Sequence, residues 1–301
     1  MSICILLSTY NGEKYIEEQL NSIAKQDINE EITIYVRDDG STDHTLDIID
    51  VFSDESSLNI QCYQGKHLGP SGSFLELIYN APEAEYYAFC DQDDVWESDK
   101  LSSAIQSLKD QSVPALWVCD FYVTDEDLNI IEAEFLKNKK HEEFHSFFYN
   151  DIPGCAMVFN RLLLEEIRKT DIQYFKMHDL LALMVAWVSG KVLIKNSSYL
   201  YYRQHSHNAI GIKGRKNFWG CTSETVRIVF SRSSYNYSAF AARVLEIYHE
   251  RLSDYEKENY SLIRDYRKGL NRIRLLKKPY ILNKEGYISR SLIVRILLGK
   301  L

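Results

Sequence analysis

Residues 86–96 read YYAFCDQDDVW, a short apolar run that ends in three carboxylates within four positions. Apolar residues followed directly by acids are typical of a buried strand whose end opens at a sheet edge. In open α/β sheets, ligands bind outside the carboxyl ends of the strands. Asp91, Asp93 and Asp94 would repel one another there, and a divalent cation would relieve that repulsion. The segment therefore predicts a Mg²⁺ or Mn²⁺ site, with a solvated acidic turn before a helix near Asp99 as the alternative.

Three further strand segments precede this one, and a helical pattern separates each from the next. The segments are Ile3–Leu7, Ile32–Val36 and Ile60–Tyr63. Between them, apolar residues recur at three- and four-residue spacing, which is typical of amphipathic helices. This alternation predicts an α/β fold with a parallel sheet and right-handed crossovers.

Polar loops follow the strands at the edge where ligands are expected. They are Thr9–Gly12, Asp38–Asp43 and Asp91–Asp94, and a Gly-rich loop at Gly69–Ser73 opens a helix. Exposed backbone N–H groups favour phosphate, and an acid at a strand end can accept a hydrogen bond from a base or ribose. Capping of the next helix is the alternative role for the first two acids of the second loop. The sequence contains neither a GxGxxG fingerprint nor a GxxxxGK[ST] P-loop.

The middle of the chain continues the alternation less regularly. Leu116–Val123, Val192–Ile194 and Tyr199–Tyr202 are predicted as further strands. A charged and aromatic segment, Glu132–Phe148, is predicted to be a surface excursion. Gly154 follows in a turn that feeds another strand, and a glycine there allows close backbone approach to a ligand.

Three motifs occur in the order and spacing of the family 2 glycosyltransferases, which the chain therefore resembles. They are LSTYNG at 7–12, RDDGSTD at 37–43 and DQDD at 91–94. QDDVW at 92–96, followed by DKL at 99–101, is similar to the bacterial rhamnosyltransferase-type members. The resemblance covers about the first 210 residues. It implies the GT-A fold, a Rossmann-like mixed sheet flanked by helices, and inverting transfer from a nucleotide-diphosphate sugar.

The resemblance also implies roles for single residues. Asp93 and Asp91 would bind Mn²⁺ or Mg²⁺, with His205 as a ligand of the metal or of phosphate, and the metal would neutralise the departing diphosphate. Arg203 could clamp the diphosphate through its planar fork. The residues expected to bind the nucleotide or the donor sugar are Thr9, Tyr10, Asn11, Asp38, Asp39, Gly69, Ser73, Asp91, Asp94, Gly154 and Arg203.

Asp179 is the predicted catalytic base. An inverting sugar transfer needs a group that takes the proton of the acceptor hydroxyl while that hydroxyl attacks. The family supplies an Asp, usually in a Glu-Asp pair, at the head of a helix, and here the pair is His178-Asp179 before the apolar run Leu180–Val188. Helix capping is the alternative role for Asp179. His178 departs from the commonest form and is assigned a supporting role.

Charge is distributed unevenly along the chain. The net charge is −8, yet residues 213–301 hold 19 Lys/Arg and 8 Asp/Glu. Helical spacing recurs in this part, for example at 226–230. We therefore predict a catalytic domain at 1–212 and a basic helical region at 213–301. That region would pack on the catalytic domain, form a homodimer, or meet an anionic membrane as a peripheral protein. No nucleic-acid recognition motif accompanies the charge, so no nucleic-acid partner is expected.

Composition indicates a globular protein of a reducing compartment. Hydrophobic residues make up 45% of the chain and charged residues 26%. The six cysteines are scattered without a CxxC pair, which favours free thiols. No signal-peptide pattern follows Met1, and the longest apolar stretch is too short to span a bilayer. We therefore expect a cytoplasmic protein, with the inner face of the plasma membrane as the alternative location.

Together these features predict a metal-dependent inverting glycosyltransferase. It would add one sugar, with rhamnose as the candidate, from a dTDP- or UDP-sugar to a hydroxyl of a cell-surface polysaccharide or lipid-linked glycan precursor. The processive signature QxxRW is absent, which favours single additions. The alternatives are a nucleotidyltransferase, a carboxylate-pair glycoside hydrolase, and a non-catalytic binding or assembly module of the same fold. Thr9-Tyr10-Asn11 stands where a nucleotidyltransferase would carry a basic Gly-rich loop.

Overall fold

The computed structural model of the protein describes residues 1–137, 139, 141–170, 177–206, 237–282 and 288–301. These residues form two compact units. The first contains 1–137, 152–169 and 177–206, and the second contains 139, 141–151, 170, 237–282 and 288–301. The boundary predicted at 212/213 and the helical pattern at 226–230 lie outside the described residues and stay predictions. None of the helices in these ranges has the length and apolar character needed to cross a bilayer.

Strands and helices alternate through the first unit. The strands are β1 (Ser2–Thr9), β2 (Glu31–Asp38), β3 (Asn59–Gln64), β4 (Tyr86–Asp91), β5 (Val95–Trp96), β6 (Ala115–Thr124), β7 (Ile130–Glu132), β8 (Met157–Asn160) and β9 (Lys191–Arg203). The helices of the described residues are α1 (Ile16–Ala24), α2 (Thr45–Glu55), α3 (Gly69–Asn80), α4 (Lys100–Leu108), α5 (Glu143–Phe148), α6 (Arg161–Lys169), α7 (His178–Ser189), α8 (Tyr237–Tyr248), α9 (Asp254–Arg264), α10 (Asn271–Leu276) and α11 (Arg290–Leu298). Short 3₁₀ turns lie at Gly154–Ala156 and Pro279–Ile281.

A mixed sheet forms the frame of the first unit. Its strand order is β3-β2-β1-β4-β8-β6-β9-β5, with β7 beside β6. The first four strands of the chain pair in parallel, whereas β8 runs antiparallel to both β4 and β6. The predicted α/β class, with a parallel sheet over the first third of the chain, is therefore confirmed.

The central strands are buried because helices cover both faces of the sheet. Ile5 and Leu6 point to opposite faces of β1, yet both are fully buried. Leu20 and Ile23 of α1 are buried as well, as the helical spacing predicts. Each such aliphatic side chain contributes roughly 1.5–3 kcal/mol on burial. The strand ends that carry the polar loops are thus anchored in the best-packed part of the unit.

β9 differs from the expectation. Two strands were predicted, at 192–194 and 199–202, but the structure has one continuous strand, Lys191–Arg203. Its pairing with β6 skips two residues between Lys195 and Ser198. A β-bulge of this kind absorbs polar residues without ending the strand. The prediction of a break was wrong because composition alone does not distinguish a bulge from a turn.

The second unit has an aromatic core. Phe144 of α5 lies 5.0 Å from Tyr260 and 5.1 Å from Tyr280, measured between ring centroids. Phe147 contacts Phe240 at 5.7 Å. Both phenylalanines are buried, so the predicted surface excursion at 132–148 is wrong for α5. The aromatic residues of that segment serve packing within this unit.

Candidate active site

The carboxyl ends of β1, β2 and β4 meet at one edge of the sheet. Ser8 pairs with Asp91 of β4, and Thr9 pairs with Asp38 of β2. Ser73 of α3 also reaches this edge, where its hydroxyl accepts a hydrogen bond from Ser8 Oγ at 2.7 Å. Strand register therefore brings the predicted loops side by side.

Gln92 fastens the loop after β1 to the acidic loop. Thr9 Oγ1 and the backbone N–H of Tyr10 both donate to Oε1 of Gln92, at 2.7 and 2.8 Å. Nε2 of Gln92 donates in return to the carbonyl of Tyr10 at 3.2 Å. A Cβ at Gly12 would lie 2.4 Å from the same Oε1, so a larger residue there would displace the Gln92 amide. Gln92 therefore sets the positions of Thr9 and Tyr10.

Tyr10 contacts the loop after β3, and Asn11 contacts the loop after β2. The Tyr10 side chain is exposed, and its ring lies 4.5 Å from that of His67. Oδ1 of Asn11 accepts a hydrogen bond from the N–H of Thr42 at 2.9 Å, while its own N–H donates to Ser41 Oγ at 2.8 Å. An accessible aromatic pair thus stands beside a braced loop, and nucleobases stack on such surfaces.

Asp38 is buried and braces its own loop. Its Oδ2 accepts hydrogen bonds from the N–H groups of Gly40 and Ser41, at 3.0 and 2.8 Å, and from Gln64 Nε2 at 3.1 Å. Capping of the next helix, the alternative role considered from the sequence, is wrong because α2 takes His44 as its N-cap. In this structure Asp38 fixes the shape of the loop.

Asp39 joins the same loop to the Gly-rich loop. Its carboxylate accepts hydrogen bonds from the N–H groups of Leu68 and Gly69, each at 2.8 Å, and from Arg37 Nη1 at 2.5 Å. Gly69 has a φ of +76°, in the left-handed region that favours glycine. A nucleoside that binds Asp39 would share or replace these donors. The predicted contact therefore stays a prediction, while the bracing of the two loops is observed.

Asp91 and Asp94 cluster with the thiol of Cys155. One possible ligand atom of each residue lies within 4.8 Å of those of the other two. Burial first, and then the charge of Asp93, raise the pKa of Asp91 to about 7 and that of Asp94 well above its usual value. The carboxyl group of Asp94 is in hydrogen-bond contact with the Cys155 thiol. The surroundings thus disfavour the charged forms of these two acids, which nearby positive charge would stabilise.

The ammonium group of Lys100 is buried next to this cluster. Its Nζ donates to the carbonyl of Cys155 at 2.6 Å and lies 3.3 Å from the ring centroid of Trp96. Lys100 has no exposed surface, and its charge acts on both Asp91 and Asp94. One positive charge therefore opposes two carboxylates.

Asp93 and His205 form a second polar group at the same edge. Nε2 of His205 lies 2.8 Å from Oδ2 of Asp93, and the imidazole stacks on Tyr15 at a ring distance of 4.7 Å. The charge of Asp93 also acts on Asp91. Asp93 and His205 are therefore in contact although 112 positions separate them, while their role as metal ligands together with Asp91 stays a prediction.

Arg203, at the end of β9, is held by protein acceptors. Its Nε donates to the carbonyl of Asp93 at 2.8 Å, Nη1 donates to the carbonyl of Glu126 at 2.5 Å, and Nη2 pairs with Glu18. The guanidinium also packs on the ring of Tyr15. This arrangement favours a role in holding the acidic loop, and the diphosphate clamp stays a prediction.

Asp179 lies in the first turn of α7. The N-cap of this helix is Met177, and no side chain caps it, so the capping alternative for Asp179 is not what the structure shows. Oδ1 of Asp179 accepts a hydrogen bond from the N–H of Leu180 at 2.5 Å. Burial raises the pKa of Asp179 to about 6, and its charge raises the pKa of Asp91. A carboxylate with such a pKa is suited to accept a proton near neutral pH.

His178 packs between aromatic rings and Gly154. Its imidazole stacks on Phe74 at 3.9 Å and meets Phe89 edge-on at 4.8 Å. A Cβ on Gly154 would lie 2.4 Å from Nε2 of His178, so only glycine leaves room for this imidazole. Burial lowers the pKa of His178 to about 3, which keeps the ring neutral. His178 therefore shapes the apolar side of the site next to Asp179.

The residues at this edge suit a divalent cation. Three carboxylates and an imidazole supply oxygen and nitrogen ligands of the kind that Mn²⁺ and Mg²⁺ accept. The raised pKa values of Asp91 and Asp94 mark a place where added positive charge would be favourable. Asp91 and Asp94, whose possible ligand atoms lie within 4.8 Å of each other and of the Cys155 thiol, could hold such a cation, and the metal role of Asp93 and His205 stays a prediction.

Similarity to known proteins is found over the same part of the chain. The model of glycosyl transferase family 2 matches residues 4–168. This chain belongs to that family. The dTDP-rhamnosyl transferase RfbG of Shigella flexneri is 33% identical over 218 residues, which make up 68% of this chain and 73% of that protein. The protein is thus a glycosyltransferase of family 2, and the resemblance drawn from the sequence is confirmed.

Solved structures of glycosyltransferases share the fold. S. aureus TarS 1-349 in complex with UDP-GlcNAc has a TM-score of 0.58 and 19% identity, covering 92% of this chain and 86% of TarS 1-349. The mannosyltransferase PcManGT from Pyrobaculum calidifontis, in complex with GDP-Man and Mn²⁺, has a TM-score of 0.56 and 17% identity, covering 99% of this chain and 85% of that one. These similarities confirm the GT-A fold.

Three residues of the site, Gln92, Lys100 and Cys155, carry no signal in the sequence that predicts their roles. Gln92 and Lys100 lie within quoted motifs, but nothing in the motifs predicts that Gln92 bonds the loop after β1 or that Lys100 is buried. Cys155 follows Gly154 and gave no signal of its own, because its neighbours Asp91 and Asp94 are distant in the sequence. Only the pairing of β4 with β8 brings these residues together.

Proposed function

We propose that this glycosyltransferase transfers a single sugar, with inversion, from a nucleotide-diphosphate sugar to a hydroxyl group of a glycan, and that a divalent cation is required. The observation that carries the proposal is that a buried carboxylate, Asp179, lies close enough to the acid cluster at the carboxyl edge of the sheet for its charge to act there. Burial gives Asp179 a pKa of about 6, and its charge acts on Asp91. A proton acceptor and an anion-neutralising site at one edge are what an inverting transfer requires.

The nucleoside would bind at the loops after β1 and β2. The exposed ring of Tyr10, with His67 beside it, offers a stacking surface, and the braced groups of Thr9 and Asn11 lie next to it. The Gly-rich loop that Asp39 holds would border the same space. These residues carry the base and ribose contacts in the proposal.

The diphosphate would lie against the acidic loop. Asp93, Asp91 and His205 would hold the cation, which when bound neutralises the charge that develops on the leaving diphosphate. Arg203 would keep Asp93 in place through its hydrogen bond to the carbonyl of that residue. Asp94 and the turn at Gly154 would border the donor sugar.

Asp179 would act on the acceptor. Its carboxylate takes the proton of the attacking hydroxyl as the hydroxyl oxygen bonds to C1 of the sugar. The bond from C1 to the phosphate oxygen breaks in the same displacement, and its electron pair leaves with the nucleotide diphosphate. The apolar surroundings that Phe74 and the neutral His178 provide exclude water from one side of the site.

The similarity to RfbG supports dTDP-rhamnose as the first donor to test. That relative is named as a dTDP-rhamnosyl transferase and is 33% identical. UDP-sugars are the second class of donors to test, because TarS 1-349 was solved in complex with UDP-GlcNAc. Thymine and uracil, the bases of these two donor classes, differ by one methyl group. A binding measurement distinguishes them more directly than a residue pattern does.

Thermal stabilisation by nucleotides tests the proposal. A ligand that binds only the folded protein stabilises it by about 2.7 kcal/mol at a hundredfold excess over Kd. We expect dTDP and dTDP-rhamnose to raise the Tm in the presence of Mn²⁺ or Mg²⁺, and the rise to disappear with chelator. GDP serves as the control nucleotide. Folded protein whose Tm responds to none of the nucleotides would contradict the proposal.

The acceptor side of the proposal concerns the basic helices of the second unit. Leu270, Ile273, Leu297 and Leu298 are 49–72% exposed. Arg272 of α10 donates to the carbonyl of Leu297 in α11 at 2.7 Å, so these two helices are in contact at Leu297. Residues 264–301 hold 11 Lys/Arg and 2 Asp/Glu. This combination supports peripheral contact with an anionic membrane that carries a lipid-linked acceptor.

Vesicle sedimentation tests the membrane contact. We expect the protein to bind vesicles that contain anionic lipid and not neutral ones, with binding lost at high salt. Leu297→Asp should weaken it, whereas Val51→Asp, at an exposed position of the first unit, should not. Equal binding to neutral vesicles, or a concentration-dependent dimer that Leu297→Asp abolishes without any vesicle binding, would contradict the membrane contact.

A further inference from the structure

Arg37 lies near the carboxyl end of β2 and is only 2% exposed. Arginine is rarely buried to this extent unless acceptors pair with its charge. We propose that Arg37 is a positioning residue for the nucleotide, one that holds the loop between β3 and α3 (65–68) in the shape that receives the nucleoside. This inference rests on the nucleotide site of the proposed function and adds to that site a residue that would not itself contact the ligand.

The guanidinium of Arg37 joins two loops. Its Nη1 donates to Oδ1 of Asp39, in the loop after β2, at 2.5 Å. Its Nη2 donates to the carbonyl of Lys66, in the loop after β3, at 2.7 Å. A planar fork can hold two acceptors at once, whereas the ammonium group of a lysine is a single point charge without that geometry. Arg37 therefore fixes the two loops relative to each other.

Gly65 leaves the space that the guanidinium fills. A Cβ at Gly65 would lie 2.5 Å from Nη2 of Arg37 and 2.8 Å from its Cζ. The N–H of Gly65 donates to the carbonyl of Asp38 at 2.8 Å, so the backbone at this position is also held. A larger residue at position 65 would therefore displace the guanidinium from its two acceptors.

The carboxylate of Asp39 passes this constraint to the rest of the loop. Its Oδ1 accepts hydrogen bonds from Arg37 Nη1 and from the N–H of Leu68. Its Oδ2 accepts a hydrogen bond from the N–H of Gly69 and lies 3.0 Å from Nδ1 of His67. A carboxylate has about four acceptor sites, and these four groups occupy them. The charge of Arg37 thus acts on the loop through Asp39.

His67 is the group through which this loop would meet the nucleoside. Its side chain is 60% exposed, and its ring lies 4.5 Å from that of Tyr10. These two rings form the stacking surface of the proposed function. Arg37 fixes the carbonyl of Lys66, directly before His67, and Asp39 lies against the imidazole itself. Displacement of the guanidinium would therefore move one wall of the nucleoside site.

Calorimetric titration of the full chain with dTDP and with UDP, in the presence of Mg²⁺, tests the inference. Arg37→Lys keeps the positive charge beside Asp39 but loses the fork. We expect the Kd of the nucleotide to rise by about 10–100-fold, the usual effect of losing a hydrogen bond to a charged group. Gly65→Ala should raise the Kd to a similar extent while Arg37 is still present, which provides an answer if Arg37→Lys does not fold.

Arg168→Met is the matched control. The guanidinium of Arg168 also holds two backbone carbonyls, those of Ile78 and Ala81, at 2.9 and 3.0 Å. These carbonyls lie at the end of α3 that is farther from the loop at 65–68. We expect Arg168→Met to lower the Tm and to leave the Kd of the nucleotide unchanged.

Two further readouts distinguish positioning from a general loss of stability. With Arg37→Lys, the KM for the donor should rise in step with the Kd while the rate at saturating donor stays unchanged, because Asp179 is not altered. The amide N–H groups of Leu68 and Gly69 should exchange with solvent faster in Arg37→Lys than in Arg168→Met.

The possible outcomes separate the inference from the proposed function. A wild-type Kd in either folded variant, Arg37→Lys or Gly65→Ala, would overturn the role of Arg37 and leave the proposed sugar transfer standing. An equal rise of the Kd in Arg168→Met would overturn it as well. If the folded wild-type protein bound neither nucleotide, the proposed function would be contradicted and the inference would fall with it.

Discussion

Replacing Asp179 with asparagine should lower the rate of sugar transfer by about 10²–10⁴-fold, the usual contribution of a general base. The amide has nearly the same shape as the carboxylate and keeps an oxygen for the N–H of Leu180, which now donates to Oδ1 at 2.5 Å. It cannot accept the proton of the acceptor hydroxyl. Initial rates at saturating donor would measure the loss, and donor affinity should stay unchanged because the base contacts the acceptor.

A pH profile separates this role from a structural one. Burial raises the pKa of Asp179 to about 6, so the active, deprotonated form predominates above that pH. The wild-type rate should therefore fall as the pH drops below about 6, and the residual rate of Asp179→Asn should not show that dependence. Asp110→Asn, at an exposed position after α4, is the matched control and should retain full activity. Full activity of Asp179→Asn would remove Asp179 as the base.

Replacing Asp93 with asparagine should remove the dependence of the protein on metal. The amide can still bond His205, whose Nε2 lies 2.8 Å from Oδ2 of Asp93, but it carries no charge for a cation. The charge stabilisation that a bound metal supplies amounts to several kcal/mol, so transfer should fall by about 100-fold or more. Calorimetric titration with Mn²⁺ should show weakened binding, and dTDP should no longer raise the Tm in a metal-dependent way.

Stability distinguishes this loss of function from unfolding. The charge of Asp93 raises the pKa of Asp91, so its removal relieves repulsion between the two acids. Asp93→Asn should therefore be at least as stable as the wild type in the absence of metal, while Asp99→Asn, at an exposed position nearby, should behave as wild type throughout. Wild-type Mn²⁺ binding and transfer in Asp93→Asn would contradict the metal role of Asp93.

The pH dependence of stability follows from the same acids. The pKa of Asp91 is raised to about 7 and that of Asp179 to about 6, above their unfolded values. The folded protein then binds more protons than the unfolded chain between about pH 4 and pH 7, so the free energy of unfolding should fall as the pH rises through this range. A bound cation would offset this fall in the free energy of unfolding.

The framework of the site could be predicted because it depends on local patterns. Apolar runs that end in polar residues identify β1, β2 and β4, and parallel pairing then places their ends together. The partners of the side chains at those ends could not be predicted in the same way. Asp39 bonds backbone groups 29 and 30 positions away, and the carbonyl that Lys100 meets is 55 positions away. Such contacts depend on tertiary packing, which periodicity and spacing do not predict.

Two segments differ from their predicted structure because their composition is ambiguous. The polar residues between Lys195 and Ser198 looked like a break between strands, whereas pairing with β6 continues on both sides of them. The aromatic residues of α5 looked like a surface segment, whereas Phe144 and Phe147 are buried in the second unit. In both cases a distant partner decides the outcome, and that partner is not encoded in the segment itself.

The most direct test of inverting, cation-dependent transfer is to follow dTDP-rhamnose by proton NMR with the protein and the diamagnetic ion Mg²⁺, with water or a glycan primer as the acceptor. The account predicts that the first-formed product has the anomeric configuration opposite to that of the donor. We also expect dTDP to appear in equal amount, both signals to be absent with chelator, and both to appear about 10²–10⁴-fold more slowly with Asp179→Asn. A first product that retains the donor configuration, or turnover that is independent of the cation, would contradict it.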